Sequence, residues 1–258
     1  MEKKKNDFIA QGSILAIASI LVRVMGMIYR IPMTAIIGDK GNGFYSYAYS
    51  VYTILLLLSS YSLPLAVSKM VSAKAQLGQW RNVKRVFICA IAFAIGIGTT
   101  FGLIVLIGAQ FFTRVFFHSE LAAIALRFMA PTILIMALLG VFRGFFQGLQ
   151  NTLPTAVSQI VEGLINAIMS VVFAYFLFDF GHGMDVVSGT TDLGYAWGAA
   201  GGAIGTGAGA LAGLIFCFIL FVAYRKILAV NISRDKTGTQ QEYGDIYCTS
   251  SYLKHCTL

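Results

Sequence analysis

The sequence predicts an all-α integral membrane protein with about six transmembrane helices. Three observations predict it. Hydrophobic residues make up 57% of the 258 positions and charged residues only 12%, whereas soluble domains carry about a quarter of their residues charged. The apolar residues are gathered in blocks, several of them longer than the roughly 20 residues that cross a bilayer as a helix. The basic residues between the blocks favour alternate connections.

The spans fall at 8–37, 44–71, 86–112, 121–144, 155–178 and 195–224. The first is too long for the apolar core of a cleaved signal peptide and ends in no small-residue cleavage site. Pro32, Pro64 and Pro131 fall inside spans. Each removes a backbone hydrogen bond that only a helix bundle can replace in lipid.

Charge orients the spans. Lys3, Lys4 and Lys5 precede the first, and Lys69, Lys74, Arg81, Lys84 and Arg85 lie between the second and third. Arg143 is placed near the turn after the fourth, and Arg225 and Lys226 follow the sixth. The other connections hold only Lys40 and Arg114, among Asp39, Glu120, Asp179, Asp185 and Asp192. Both termini are therefore expected in the cytoplasm. The formal charge of +8 is a topology signal. It is divided among separate loops, which speaks against a nucleic-acid partner.

Small residues mark where helices meet. Gly201, Gly205, Gly209 and Gly213 recur every fourth residue in the sixth span, as do Gly140, Gly144 and Gly148 at the end of the fourth. Such stripes let two backbones approach closely. The run "GTGAGA" (205–210) follows no strand and is no dinucleotide fingerprint. Cys89 and Cys217 read as packing residues, and Cys248 and Cys256 in the tail have no metal-ligand spacing.

The polar groups inside the spans carry the chemistry. Arg23 and Arg30 are two helical turns apart on nearly one face of the first span. Arginine at the centre of a membrane helix costs about 2.5–3.5 kcal/mol on insertion scales. Glu162 is the deepest carboxylate and the expected partner of Arg23. Gln159, Glu162, Asn166 and Ser170 form a polar ridge on the fifth span, and Arg127 adds a cation in the fourth. Tyr45, Tyr49 and Tyr52 share a face of the second span and are placed to stack on sugar rings, or to sit in an interfacial aromatic belt.

Together these groups predict a net-positive cavity within the bilayer. Guanidinium stays charged and grips phosphate in a two-pronged fork. The fitting ligand is an amphiphile whose phosphate head crosses while its apolar tail stays in lipid. The candidate substrate-binding residues are Arg23, Arg30, Tyr45, Tyr49, Arg127, Gln159 and Asn166, with Glu162 as an ion-pair or coupling residue. No catalytic residue, metal ligand or cofactor is expected. His118, His182 and His255 lie in loops or the tail with no acid pair facing them, which argues against a membrane-embedded transferase.

Two stretches carry a family resemblance. One is "RVMGMIYRIPMTAIIGDKGNGFYSYAYSVYTILLLLSSYSLPLAVSKMVSA" (23–73), with its order Arg23-x-x-Gly26, Arg30-Ile31-Pro32, Gly38, Gly41-x-Gly43-x-Tyr45 and Ser68-Lys69. The other is "GVFRGFFQGLQNTLPTAVSQIVE" (140–162). The chain resembles, over 8–228, the first lobe of the multidrug/oligosaccharidyl-lipid/polysaccharide flippase superfamily, in its polysaccharide biosynthesis and stage V sporulation protein B-like branch. The resemblance implies one lobe of a two-lobe fold in the bacterial plasma membrane. It also implies export of undecaprenyl-pyrophosphate-linked oligosaccharide or peptidoglycan precursor, with a lipid-linked glycan and a second lobe or second copy as partners. Arg23 matches the family's first-helix arginine. The related peptidoglycan-precursor flippases place a second arginine six residues on, where this chain has Tyr29 and carries Arg30 instead.

Residues 1–7 then read as a cytoplasmic N-terminus, 8–228 as the transmembrane lobe, and 229–258 as a cytoplasmic tail, the chain being either a natural single lobe or a truncated or frameshifted reading. The alternatives are a cation-coupled multidrug exporter of the same superfamily and a non-transporting membrane scaffold subunit. Arginines favour anionic over cationic cargo, which places the exporter of cationic drugs second.

Overall fold

The computed structural model describes residues 2–59 and 62–235. Six helices follow one another: α1 (Glu2–Ser59), α2 (Leu63–Gln76), α3 (Trp80–Phe117), α4 (Ala122–Gly148), α5 (Leu153–Ser188) and α6 (Leu193–Ser233). The tail from 236 onward, with Cys248, His255 and Cys256, lies outside the described residues. Among the described residues five stretches are long and apolar enough to cross a membrane. The first of them, Gly12–Gln76, has 65 residues, whereas one crossing needs about 20.

That first stretch holds two predicted spans because the chain doubles back inside α1. Gly38 interrupts the helical geometry with φ 63° and ψ −178°, a conformation that side-chain-bearing residues rarely adopt. Met33 and Tyr45 both lie 3.1 Å from the point where a Cβ on Gly202 would stand. A straight helix would hold those two residues about 18 Å apart. The segments before and after Gly38 are therefore two limbs lying side by side.

The expected second span, 44–71, is not one helix. α1 ends at Ser59 and α2 begins at Leu63, with Pro64 in its first turn. Proline loses nothing there, because a first-turn N–H has no intrahelical partner to lose. Pro64 is thus a helix start and not an interruption to be repaired, while Pro32 and Pro131 do lie inside helices. α2 packs on α4 through two small residues. A Cβ on Gly144 would stand 2.6 Å from the Pro64 carbonyl oxygen, and one on Gly148 would stand 2.7 Å from Val71.

Helix α4 is the axis of the bundle. Leu126, Met129, Ile133, Leu139 and Phe145 on it are fully buried. The first three join Met33, Tyr45 and Tyr52 in one apolar cluster, while Leu139 and Phe145 join Val71, Phe87 and Cys217 in another. Cys89 belongs to the second cluster too, so both membrane cysteines are packing residues.

The glycine stripe of α6 faces α5. A Cβ at Gly201 would collide with the Phe173 backbone and one at Gly205 with Ser170. One at Gly209 would stand 2.6 Å from the Glu162 carbonyl oxygen. Backbone atoms block each site, joined at Gly205 by the Ser170 hydroxyl. Gly205→Val is therefore expected to destabilise the protein by about 3 kcal/mol or more, the upper range for overpacking. Gly96→Val on α3 is the control, since nothing lies within 4 Å of its Cβ position. Thermal unfolding in detergent reads the difference.

The helices overrun the spans assigned from hydropathy. Arg225 and Lys226 ride on the last turns of α6, and Asp179 and Asp185 lie within α5 and not in a loop. Only residues 189–192 link α5 to α6. Asp185 fastens that link, accepting hydrogen bonds from the N–H groups of Leu193 (3.0 Å) and Gly194 (2.8 Å) and from Thr190 (2.6 Å). Charge sorts by end. Lys40 pairs with Asp192 at 2.9 Å and Arg114 with Glu120 at 3.4 Å at one end. At the other, the N–H of Arg81 at the start of α3 donates to Asp235 just after α6, at 3.0 Å.

Candidate functional site

The doubling back at Gly38 builds a chamber. It lays the limb carrying Arg23 and Arg30 beside the limb carrying Tyr45, Tyr49 and Tyr52. Helix α5 closes one side with Glu162 and Asn166, α4 adds Met136 and α6 adds Thr206. These residues line a cavity of about 550 Å³, with Tyr29 and Gly26 also on its wall. Seven of the residues singled out from the sequence meet in it: Arg23, Arg30, Tyr45, Tyr49, Tyr52, Glu162 and Asn166.

Arg127 does not reach this chamber. Leu126, Met129, Ala130 and Ile133 define the buried face of α4, and Arg127 with Pro131 one turn on is exposed on another face. Near the start of its helix, its long side chain can reach the membrane boundary, where a guanidinium is well solvated. Gln159 lines a neighbouring cavity of about 390 Å³. Its amide oxygen accepts a 3.4 Å hydrogen bond from Ser19. The ridge on α5 is thus divided. Ser170, its last member, is buried against α6, donating to Asn166 at 2.8 Å and lying 3.3 Å from the Gly202 carbonyl.

Glu162 is paired with a different arginine than expected. Its carboxylate accepts a 2.7 Å hydrogen bond from Arg143, whose Nε donates to Ser158 at 2.9 Å. The Arg143 side chain is 11% exposed and that of Glu162 24%. Hydropathy puts Arg143 near a turn, but α4 continues to Gly148 and carries it against α5. A signal for this was in the sequence: Gly140, Gly144 and Gly148 keep helical spacing on both sides of Arg143.

The electrostatic consequence is simple. Arg143 cancels Glu162, so the chamber's charge is that of Arg23 and Arg30. Among the described residues neither arginine has an ion-pair partner. Beside them, the Tyr45 and Tyr49 rings stack with centroids 5.8 Å apart, and Tyr49 and Tyr52 are 5.9 Å apart. The Tyr45 hydroxyl lies 3.3 Å from that of Thr206. Among the described residues no three His, Cys, Asp or Glu side chains gather as metal ligands. Tyr29 and Thr206 were not singled out from the sequence, because membership of the wall depends on which helix lies opposite.

Fold and chamber define a multi-pass α-helical membrane protein with a cationic, aromatic-walled cavity at membrane depth. A family model described as "Polysaccharide biosynthesis protein" matches residues 8–251, and the chain belongs to that family. It is 26% identical over 227 residues to stage V sporulation protein B of Bacillus subtilis (strain 168), covering 88% of this chain and 41% of that protein. It is also 26% identical over 200 residues to the lipid II flippase MurJ of the same organism, covering 74% of this chain and 37% of that protein. The chain therefore spans about two fifths of the length of these curated relatives. No solved structure matches it.

Proposed function

We propose that this chain forms the cation-bearing lobe of a flippase that moves a polyprenyl-pyrophosphate-linked glycan across the bacterial plasma membrane. The cargo class is undecaprenyl-pyrophosphate-linked oligosaccharide or peptidoglycan precursor. The observation that carries the reading is the pair of arginines in one chamber, without ion-pair partners among the described residues. Charges held at this depth are costly unless they meet a counter-charge, and a pyrophosphate supplies one. Arg23 and Arg30 grip the phosphates, the tyrosine wall offers faces for the first sugar, and Asn166 offers a neutral hydrogen-bonding group. The related lipid II flippase supports a lipid-linked cargo.

Alternating access uses two helical units moving around a central site. The relatives are more than twice this chain's matched length. That supports a second bundle, from a longer polypeptide or a second copy, facing the chamber's open side. The test of the reading is binding. The full chain in lipid nanodiscs should bind polyprenyl pyrophosphate and should not bind the uncharged polyprenol. Equal binding of both would overturn the phosphate reading.

The same reading places both termini in the cytoplasm. In a chain whose native cysteines are alanine, Thr191→Cys should react with a membrane-impermeant maleimide added to intact cells. Leu77→Cys should react only after the cells are permeabilised. Both positions are exposed at opposite ends of the bundle. The reverse pattern sinks the orientation.

A further inference from the structure

The cavity that takes Gln159 is separate from the arginine chamber but shares Leu56 and Met136 with it. It lies at the end of α4 and the start of α5, and is lined there by Arg143, Gln147, Thr155 and Gln159. We infer that it is a second subsite, holding the neutral, hydroxyl-rich part of a glycan whose pyrophosphate sits on Arg23 and Arg30. The inference rests on the flippase reading above and adds a specificity site to it.

Three observations point to a neutral polar ligand. First, the cavity's only cation is already neutralised, since Arg143 holds Glu162 at 2.7 Å. An anion would gain little there. Second, hydrogen-bonding capacity is left over. Arg143 uses Nε and one Nη on Ser158 and Glu162, and among the described residues its other Nη has no partner. The Gln159 amide nitrogen is likewise unpartnered among the described residues, and its oxygen meets Ser19 only at 3.4 Å. The Gln147 nitrogen reaches Thr155 only at 3.5 Å, a length at which little hydrogen bonding remains. Third, the space is sufficient. A volume of about 390 Å³ falls within the roughly 300–1,000 Å³ of small-molecule sites.

Carboxamide, hydroxyl and guanidinium groups on a half-buried wall match hydroxyls and acetamido groups, which both donate and accept. The Arg143–Glu162 pair stands between the two cavities, contributing Arg143 to one wall and Glu162 to the other. A head group lying across that divide would place charge on the cationic side and sugar on the neutral side.

The experiment compares polyprenyl pyrophosphate with the same lipid carrying an N-acetylated disaccharide, each titrated against the full chain in nanodiscs. The unmodified chain should prefer the disaccharide lipid. Gln147→Leu with Gln159→Leu should cut that preference about tenfold, as expected for one or two lost hydrogen bonds. A preference unchanged by the two substitutions overturns the subsite, including the case where both lipids lose affinity equally. An unmodified chain that binds both lipids alike also overturns the subsite and leaves the phosphate reading standing. Binding of neither lipid removes both.

Discussion

Arg23→Ala should weaken binding of polyprenyl pyrophosphate by about tenfold to a hundredfold, the range for losing hydrogen bonds from a charged donor. Arg30→Ala should do the same, because both guanidinium groups line one chamber and, on the proposed phosphate reading, each would contribute a fork to one anion. Arg23→Lys should recover only part of the affinity, since a point charge lacks the two-pronged geometry. Arg127→Ala should leave affinity unchanged, for that side chain points away from the chamber. Titration in nanodiscs reads all four. Normal affinity in the Arg23→Ala chain would mean that the chamber does not recognise phosphate.

Glu162→Gln and Arg143→Met should each destabilise the bundle by about 1–3 kcal/mol, less than the roughly 3–5 kcal/mol of a fully buried pair because this one is partly exposed. The double variant Arg143→Met with Glu162→Met should be far closer to the unmodified protein, because no bare charge remains. Thermal unfolding of the four chains forms the cycle. Ligand binding separates the two single variants. Arg143→Met leaves an uncancelled carboxylate on the chamber wall, so anion affinity should fall. Glu162→Gln leaves an extra guanidinium nearby, so anion affinity should hold or rise. Equal anion affinities in the two would show that the pair does not set the chamber's charge.

The link at Asp185 invites a comparison with these. It caps the start of α6 through two backbone N–H groups, an arrangement worth about 1 kcal/mol when removed. Its loss should be felt in thermal unfolding and leave the chamber chemistry untouched.

Much of this molecule was legible without coordinates, for identifiable reasons. The membrane class follows from apolar blocks longer than a bilayer crossing, and no packing detail can reverse that. The glycine stripe of α6 was legible because four glycines at helical spacing leave one face without side chains, and some helix must cover it. The intramembrane arginines were legible because their cost in lipid makes them conspicuous. Helix ends were less so. Hydropathy reports where lipid begins, not where hydrogen bonding stops. That is why α5 and α6 overrun their spans and why Arg143, expected near a turn, lies within α4.

The amino-acid sequence by itself determined the class of the protein, the number of apolar blocks and the presence of cations inside an apolar span. Those properties follow from composition and local periodicity, which each residue carries wherever its neighbours lie. Only the tertiary structure decided which arginine Glu162 meets, that Arg127 faces outward, and that Gln159 belongs to a second cavity. It also decided that Gly38 folds one long helical stretch into two limbs, bringing Arg23 and Arg30 beside Tyr45 and Tyr49. Pairing across helices depends on the rotation and depth of each helix against the next. A change of one residue along a helix turns a side chain by about 100°, so the partners are settled by packing and not by spacing.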